Sequence, residues 1–353
     1  MRPVAERTRR TRIAGLTLLC VGGAGLLDVR ADPPPAAAGS GADEPAAAAQ
    51  VEATGIEERV RRLERLAHEE RARRGARIYA RSCAACHGRD GRGDGPGAAD
   101  LDPAPRDLAA GGVRYRSTST GAAPRREDVA RTIRHGLPGS AMPAFGDLFS
   151  EGEIEQLIDH IDALRGGEIS RAPQPLEIAD PALPDAASIE EGRAVYLVTG
   201  CWSCHGLDGA GRGPAAGGLA DERERPLRMP DFRHDPLKGG REARAIVRTL
   251  RTGLNGAPMP SFDEAMLFAA EDFQDPATLP VQLDERDRGR VSAYLRGAPR
   301  RADLAVMDEA SLLQLRDRRL AALAHYVLSL DRRSGLRSRL FHERPELNPR
   351  KRR

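Results

Sequence analysis

Aromatic side chains are scarce in this chain. One Trp, five Tyr and seven Phe make up 4% of its 353 residues, although such side chains usually bury large areas in a core. The length is enough for about two domains. Apolar residues account for 40% and charged residues for 30%, which is the balance of a soluble globular protein. We therefore expect something other than aromatic side chains to fill part of the core.

Cysteine is also rare. Five cysteines in a chain of this length are too few for a disulfide scaffold. Four of them form two Cys-x-x-Cys pairs, and a His follows each pair directly. The fifth, Cys20, lies in a segment that we expect to be removed.

The net charge is small, at +3, but it is unevenly distributed. Residues 1–31 carry +4 and residues 332–353 carry +7, so the remaining body is acidic. Basic residues at the two ends do not make a nucleic-acid site, which needs a basic face and a reading motif. The sequence therefore predicts no nucleic-acid partner.

The N-terminus has the pattern of an export signal. Five Arg lie within residues 2–12, an apolar run of 15 residues follows at 13–27, and small residues stand at the −3 and −1 positions of a cleavage site after Ala31. The run is shorter than the ~18 residues of a membrane-spanning helix, which favours cleavage over an uncleaved anchor. We expect a periplasmic protein. Leu19 before Cys20 makes a lipid anchor the weaker interpretation.

A sequence repeat and two Pro-rich stretches divide the chain. Residues 83–101 align without a gap with residues 201–219, and residues 131–145 align in the same way with residues 248–262. The sequence therefore predicts an export signal (1–31), a Pro/Ala-rich linker (32–55), a first domain with a leading helix (56–167), a second linker (168–187), a second domain (188–331) with an insertion (263–316), and a basic tail (332–353).

Each repeat begins with Cys-x-x-Cys-His, the attachment signature of c-type haem. The thiols of Cys83 and Cys86, and of Cys201 and Cys204, would add to the haem vinyl groups, leaving His87 and His205 as proximal iron ligands. We therefore expect two covalently bound haem c groups. A Cys₄ zinc site would leave both His and both Met-Pro loops unexplained, and a thioredoxin-like centre would need a βαβ context.

Met142 and Met259 are the expected distal ligands. They follow the haem His by 55 and 54 residues, and each is followed by Pro and then, two residues later, by Phe. A His/Met pair is typical of electron-transfer haems, whereas an isolated Met is usually core filler. The competing candidates are less suited: Met229 lies only 24 residues after His205, and Thr252 stands where the first repeat has His135.

The proximal imidazole also needs an acceptor for its second ring nitrogen. Pro96 and Pro214, each nine residues after the His, are the candidates for that carbonyl. The alternative is that both prolines only stiffen a turn.

With these motifs present twice, the sequence resembles the class I c-type cytochromes in a tandem dihaem arrangement. The resemblance covers about residues 69–165 and 188–330. It implies an all-α fold of two helical domains, each wrapped around one haem, with crossing first and last helices. In that family a Gly and an aromatic residue of the first helix pack on the last. The matching positions are Gly75 and Tyr79, then Gly192 and Tyr196.

The last helix of the first domain is expected at residues 153–164. The second domain departs from the pattern, because about 50 residues separate Phe262 from the helix expected at residues 317–330. Residues 284–296 form a rival closing helix. The later segment has the better apolar stripe and is preferred.

Two six-coordinate haems leave no open position for a substrate, so we expect an electron carrier that moves single electrons between protein redox partners. The acidic body could steer a basic partner. The alternatives are a dihaem enzyme of the peroxidase or thiosulfate-oxidising type, with one reactive haem, and a haem subunit of a larger dehydrogenase or oxidase. The basic tail is either a solvated end or a docking element for anionic lipid or an acidic partner.

Overall fold

The computed structural model describes residues 44–169, 171–273 and 283–332, with side chains from residue 55 onward. The compact unit begins at Arg59. The described part of the chain contains helices and no strand longer than an isolated bridge, which confirms the all-α fold class. The α-helices are α1 (Glu44–Ser82), α2 (Ala84–His87), α3 (Arg126–His135), α4 (Glu151–Leu164), α5 (Ala186–Val198), α6 (Trp202–His205), α7 (Ala243–Thr252), α8 (Glu285–Gly297), α9 (Arg301–Val306) and α10 (Glu309–Ser329).

The same order of elements occurs twice. A long helix leads into a one-turn helix that ends at the His of the Cys pair, and a third helix and a closing helix follow. In the first domain these are α1 to α4, and in the second they are α5, α6, α7 and α10. The helices α8 and α9 lie in the insertion of the second domain.

In each domain the first and last helices cross at a glycine. A Cβ atom on Gly75 of α1 would lie 1.8 Å from the carbonyl oxygen of Gln156 on α4. A Cβ atom on Gly192 of α5 would lie 1.9 Å from the carbonyl oxygen of Ala322 on α10. The backbones meet too closely for any side chain, so the crossing that the family resemblance implied is present in both domains.

The helix that closes the second domain is therefore α10, the preferred later segment. It begins at Glu309, eight residues before the expected start, because the Asp308 side chain caps it by accepting a hydrogen bond from the backbone N–H of Ser311 at 2.7 Å. The rival segment forms α8, which packs against α5 from within the insertion.

Helix α1 extends into the expected linker at residues 32–55, whereas the compact unit begins at Arg59. Helix α1 begins at Glu44, twelve residues before the leading helix was expected. The alanines at 46–49 have the highest helix propensity of any residue type, and Pro45 falls in the first turn, where proline is tolerated. Reading the stretch only as Pro/Ala-rich overlooked both effects. The expected export signal, the first part of that linker and all but the first residue of the basic tail lie outside the described residues.

Each domain has its own apolar core, and the second is larger. The first core consists of residues from α1, α3 and α4 together with Ile169. The second is built on α5, α7 and α10 and adds side chains of the insertion, namely Met266, Phe268, Leu283 and Val291. The second linker contributes to packing at both ends, because Ile169 is buried in the first core and Ile178 packs against the second.

Candidate functional site

The Cys pairs sit in two loops with the same backbone geometry. His87 and His205 are the last residues of the one-turn helices α2 and α6. Their carbonyls accept hydrogen bonds from the backbone N–H of Gly93 and Gly211, both at 2.8 Å. The loops turn at glycines with positive φ, beginning with Gly88 at 77° and Gly206 at 79°, a backbone conformation that glycine adopts without strain. The aligned glycines of the repeat therefore encode one loop shape.

A tyrosine ties each loop to the leading helix. The Tyr79 hydroxyl donates to the carbonyl of Gly88 at 2.9 Å, and the Tyr196 hydroxyl donates to the carbonyl of Gly206. Both glycines directly follow the haem-site His. The expected aromatic residue of the first helix therefore fixes the start of the loop as well as packing on the last helix.

The four cysteines of the two pairs are half-buried, and none of them forms a disulfide. Burial raises the pKa of Cys83 and of Cys201 to about 11. Among the described residues no group of three or more His, Cys, Asp or Glu side chains could hold a metal ion. The two Cys pairs thus do not come together as a Cys₄ zinc site would require.

The His87 ring has a defined proton position. Its Nδ1 lies 3.0 Å from the carbonyl oxygen of Arg106. A carbonyl can only accept, so Nδ1 carries the proton and the lone pair of Nε2 is available to a metal. Burial lowers the pKa of His87 below its usual value, which also favours the neutral ring.

The acceptor predicted at Pro96 is therefore wrong. The backbone on both sides of Pro96 hydrogen-bonds to α2: Gly95 donates to the carbonyl of Cys86 at 3.2 Å, and Gly97 donates to the carbonyl of Ala85 at 2.9 Å. Because this loop folds back over α2, the carbonyl beside His87 comes from the next loop, 19 residues after it. The stretch at Pro214 is held in the same way by Gly213 and Ala215.

The second His lacks this hydrogen bond. The Nδ1 of His205 is buried and has no hydrogen-bond partner among the described residues. Its ring stacks on Phe232 with centroids 4.5 Å apart, and burial lowers its pKa to about 4. A Cβ atom on Gly211 would approach the carbonyls of Met229 and Pro230, as one on Gly93 would approach those of Pro105 and Arg106. Pro230 is thus the counterpart of Arg106.

The two Met-Pro loops also make equivalent backbone hydrogen bonds. The Met142 carbonyl accepts from the backbone N–H of Leu137, and the Met259 carbonyl accepts from that of Leu254, both at 3.0 Å. The phenylalanine three residues later returns to the preceding helix in each case, at 3.0 Å to Ile133 and 2.8 Å to Leu250. Both methionines are half-buried. The pairing of Met142 with Met259, made from sequence, thus has a structural counterpart in each domain.

The competing candidates have other surroundings. Met229 lies in the loop beside Gly211, three residues before Phe232, whose ring stacks on His205. His135 and His234 are exposed. The other three histidines contact protein side chains: His160 packs on Tyr79, His325 contacts Ser188, and His68 contacts Asp159. The indole N–H of the buried Trp202 donates to the carbonyl of Leu197 at 3.1 Å, which gives that side chain a structural role.

Sequence reasoning missed the role of Arg106. The available signal was the internal match of residues 105–108 with residues 229–232, which places both stretches at the same point of the repeat. It gave no reason to select the carbonyl of residue 106, because hydrogen bonding by a backbone carbonyl leaves no mark on side-chain identity.

Two family models match the chain in the order of its domains. Residues 70–161 match subunit III of cbb3-type cytochrome c oxidase, and residues 189–299 match cytochrome c. The chain is a tandem class I c-type cytochrome. It therefore binds two haem c groups covalently, one in each domain.

Two curated relatives of this cytochrome are named as subunits of cbb3-type cytochrome c oxidases. It is 27% identical over 204 residues to the cbb3-type cytochrome c oxidase subunit CcoP of Azospirillum sp. (strain B510), which covers 54% of this chain and 56% of that protein. It is 30% identical over 156 residues to subunit FixP of Sinorhizobium medicae (strain WSM419), covering 42% and 43%. The chain thus spans about half the length of the curated relatives it matches.

A solved structure also matches this cytochrome. A chain of the reducing HAO-like protein complex of Kuenenia stuttgartiensis is 27% identical, with a TM-score of 0.56 over 73% of this chain and 96% of that one. Among the described residues of this cytochrome, no helix is long and apolar enough to cross a membrane.

The residues present fit the haem. Each domain offers two free thiols three residues apart, a His next to them and a Met loop. In the first domain the His87 tautomer leaves Nε2 for iron. A covalent haem also accounts for the shortage of aromatic side chains, because it supplies a large apolar surface to each core.

Proposed function

We propose that this cytochrome transfers single electrons between protein redox partners through two His/Met-ligated haems. In this assignment Cys83 and Cys86 anchor the first haem, while His87 and Met142 ligate its iron. The second haem is anchored by Cys201 and Cys204 and ligated by His205 and Met259. The observation that carries the proposal is the repetition of both loop geometries, from the His carbonyl bonds to the Met carbonyl bonds, in the two domains.

The haem supplies reversible one-electron chemistry at iron. The chain's own residues decide how that chemistry is used. A neutral imidazole and a thioether as the two protein ligands would favour reduced iron and raise its potential. With His and Met both bound to the iron, no ligand position would remain at which a small molecule could react. Arg106 keeps the proton of His87 on Nδ1, so the imidazole ligand keeps one orientation.

We infer that the partners are proteins of a larger redox complex. The relatives are named as subunits of cbb3-type oxidases, and the structural match belongs to an HAO-like complex. We propose a periplasmic location, since residues 1–31 have the pattern of an export signal. The basic tail, with nine basic residues from Arg332 onward, is proposed as a contact for an acidic partner or an anionic lipid surface.

Substitution of the two methionines tests the ligand assignment. The holoprotein is produced with haem-maturation machinery, and its near-infrared and paramagnetic spectra are recorded. We expect Met142→Ala and Met259→Ala each to remove about half of the weak sulfur-to-iron band. Each variant should also open one haem to carbon monoxide. Met229→Ala is the matched control, because Met229 also precedes Pro but lies in the proximal loop.

Two results would contradict the proposal. One is an unmutated protein with a high-spin haem that binds carbon monoxide avidly, which would favour a catalytic role. The other is a Met142→Ala or Met259→Ala variant whose spectra match those of the unmutated protein. Haem that acid and organic solvent extract from the unmutated protein would contradict covalent attachment.

A further inference from the structure

One residue of the first domain contacts both its own haem site and the other domain. The carbonyl of Arg106 lies 3.0 Å from Nδ1 of His87. The guanidinium of the same residue points the other way: its Nη2 donates to a carboxylate oxygen of Glu222, in the second domain, at 2.6 Å. It also donates to the carbonyl of Gly112. The side chain is mostly buried, with 18% of its surface exposed.

Glu222 in turn reaches the distal loop of the second haem site. Its backbone N–H donates to the carbonyl of Gly256, three residues before Met259, at 3.3 Å. Its carboxylate also accepts from the backbone N–H of Gly112. A Cβ atom on Gly256 would lie 1.9 Å from that carboxylate, so any side chain at this position would displace it. The ion pair thus connects the proximal side of one haem site with the Met loop of the other.

Other hydrogen bonds join the two domains near this ion pair. Arg116, which is fully buried, donates to the carbonyl of Thr252 at 2.7 Å, and Thr120 donates to the same oxygen at 2.8 Å. The backbone N–H of Gly121 donates to the side chain of Asn255 at 3.0 Å. All three bonds reach the end of α7 or the loop after it, close to Gly256.

The second domain lacks the equivalent device. Pro230 occupies the position of Arg106, and proline has no side-chain donor. Correspondingly, Nδ1 of His205 has no hydrogen-bond partner among the described residues. A control over the proximal ligand that comes from the partner domain is therefore available to the first haem alone.

We propose that the Arg106–Glu222 ion pair positions the Arg106 carbonyl for its hydrogen bond to His87, so that docking of the second domain sets the potential of the first haem. This inference rests on the proposed role of His87 as iron ligand. Arg106 and Glu222 are positioning residues, since neither reaches the iron. The hydrogen bond makes the imidazole more electron-rich and stabilises oxidised iron. Weakening it raises the potential of the first haem.

For Arg106→Gln, direct electrostatics and positioning predict shifts of opposite sign in the potential of the first haem, which makes the test decisive. Glu222→Gln removes a negative charge and weakens the ion pair, so both effects raise the potential of the first haem. Arg106→Gln removes a positive charge, which alone would lower that potential, but it also frees the carbonyl, which raises it. Positioning therefore predicts that both substitutions raise the potential.

The experiment is an optical redox titration of the full-length holoprotein. The two haems are assigned with Met142→Ala and Met259→Ala, each of which lowers the potential of its own haem. At a fixed ambient potential we expect the reduced-to-oxidised ratio of the first haem to rise at least about twofold in Glu222→Gln and in Arg106→Gln. The ratio of the second haem should change less. The exchange rate of the His87 Nδ1 proton in the reduced protein should increase in both variants.

Arg134→Gln and Glu151→Gln, which break an exposed ion pair of the first domain, are the matched controls. Arg106→Lys keeps the positive charge, so the potential of the first haem should lie closer to that of the unmutated protein than in Arg106→Gln. Opposite shifts in the two variants would reduce the pair to a simple charge effect and overturn the proposal. An unchanged first haem, or equal shifts of both haems, would also overturn it. If Arg106→Gln fails to fold, Arg106→Lys and Glu222→Gln still decide, through proton exchange at His87. An unmutated first haem without His/Met signals would instead refute the proposed function.

Discussion

The two domains share a skeleton but differ in how they cover it. Each has the same Cys loop, the same Met loop and the same glycine crossing. At the crossing, Gln156 of α4 and Ala322 of α10 hold equivalent positions, which aligns the two closing helices. After the Met loop they diverge. The first domain leaves Phe149 half-buried, whereas the second buries its counterpart Met266, at the start of the insertion, completely.

What is common to the domains is mostly backbone bonding, and what differs is mostly side chains. The loop hydrogen bonds and positive-φ glycines recur at aligned positions. The substitutions fall around them: Arg106 against Pro230 beside the proximal His, and His160 against Tyr326 on the closing helix. A repeated frame thus allows two haem sites of the same type to acquire separate properties.

The largest effect should come from the helix crossing, which is the strongest point of similarity. Gly75→Ala and Gly192→Ala each place a Cβ atom within 2 Å of a backbone oxygen. Because backbone cannot yield as a side chain can, each change should destabilise its own domain by about 3 kcal/mol or more. Denaturant unfolding of the holoprotein, followed at the haem absorption, should show an early transition of half the amplitude.

The controls are glycines of the same helical class in open space. Gly152 on α4 and Gly289 on α8 have no atom within 4 Å of an added Cβ. Alanine at either position should be neutral or stabilising by up to about 1 kcal/mol. Equal effects of Gly75→Ala and Gly152→Ala would contradict the role given to the crossing.

The second largest effect should be a loss of stability that is greater in the second domain, because the insertion adds buried side chains there. Met266 and Phe149 occupy corresponding places, since each donates its backbone N–H to the phenylalanine of its Met loop. Met266→Ala removes a fully buried side chain and should cost about 3 kcal/mol. Phe149→Ala, at a half-buried site, should cost less. Leu148→Ala should stay within about 0.5 kcal/mol. The same unfolding experiment ranks the three, and a smaller loss for Met266→Ala than for Phe149→Ala would show that the insertion does not cover this site.

Much of this comparison was predictable from sequence, because the repeat fixes residues whose chemistry is specific. The Cys pairs with their His, the Met-Pro loops and the Gly–Tyr pairs of the leading helices were all identified by position. Their spacing was informative because covalent attachment and a glycine crossing tolerate few alternatives. The all-α class followed from the family resemblance that these motifs carry.

Other features could not be predicted for physical reasons. The acceptor for His87 is a backbone carbonyl of Arg106, and any residue type at that position provides one. The start of α1 at Glu44 depends on alanine propensity, which a reading for apolar periodicity does not weigh. The ion pair of Arg106 with Glu222 joins residues 116 positions apart, and neither residue belongs to a motif.

The smallest effect concerns pH and distinguishes the closing helices. His160 of α4 packs on Tyr79 with centroids 4.9 Å apart, and burial lowers its pKa below the usual value of about 6.5. Tyr326 holds the corresponding place on α10 and does not titrate in this range. As the pH falls below 6.5, the unfolded chain binds a proton that folded His160 resists, so the first domain alone should lose stability from this position. The loss cannot exceed about 1.4 kcal/mol for each unit by which the pKa of His160 is lowered.

The variant His160→Tyr copies the second domain at this position. In it, the difference between the free energies of unfolding at pH 7.5 and at pH 5 should shrink for the first domain and stay constant for the second. An unchanged pH dependence in that variant would assign the loss to other groups and leave the two closing helices alike in this respect.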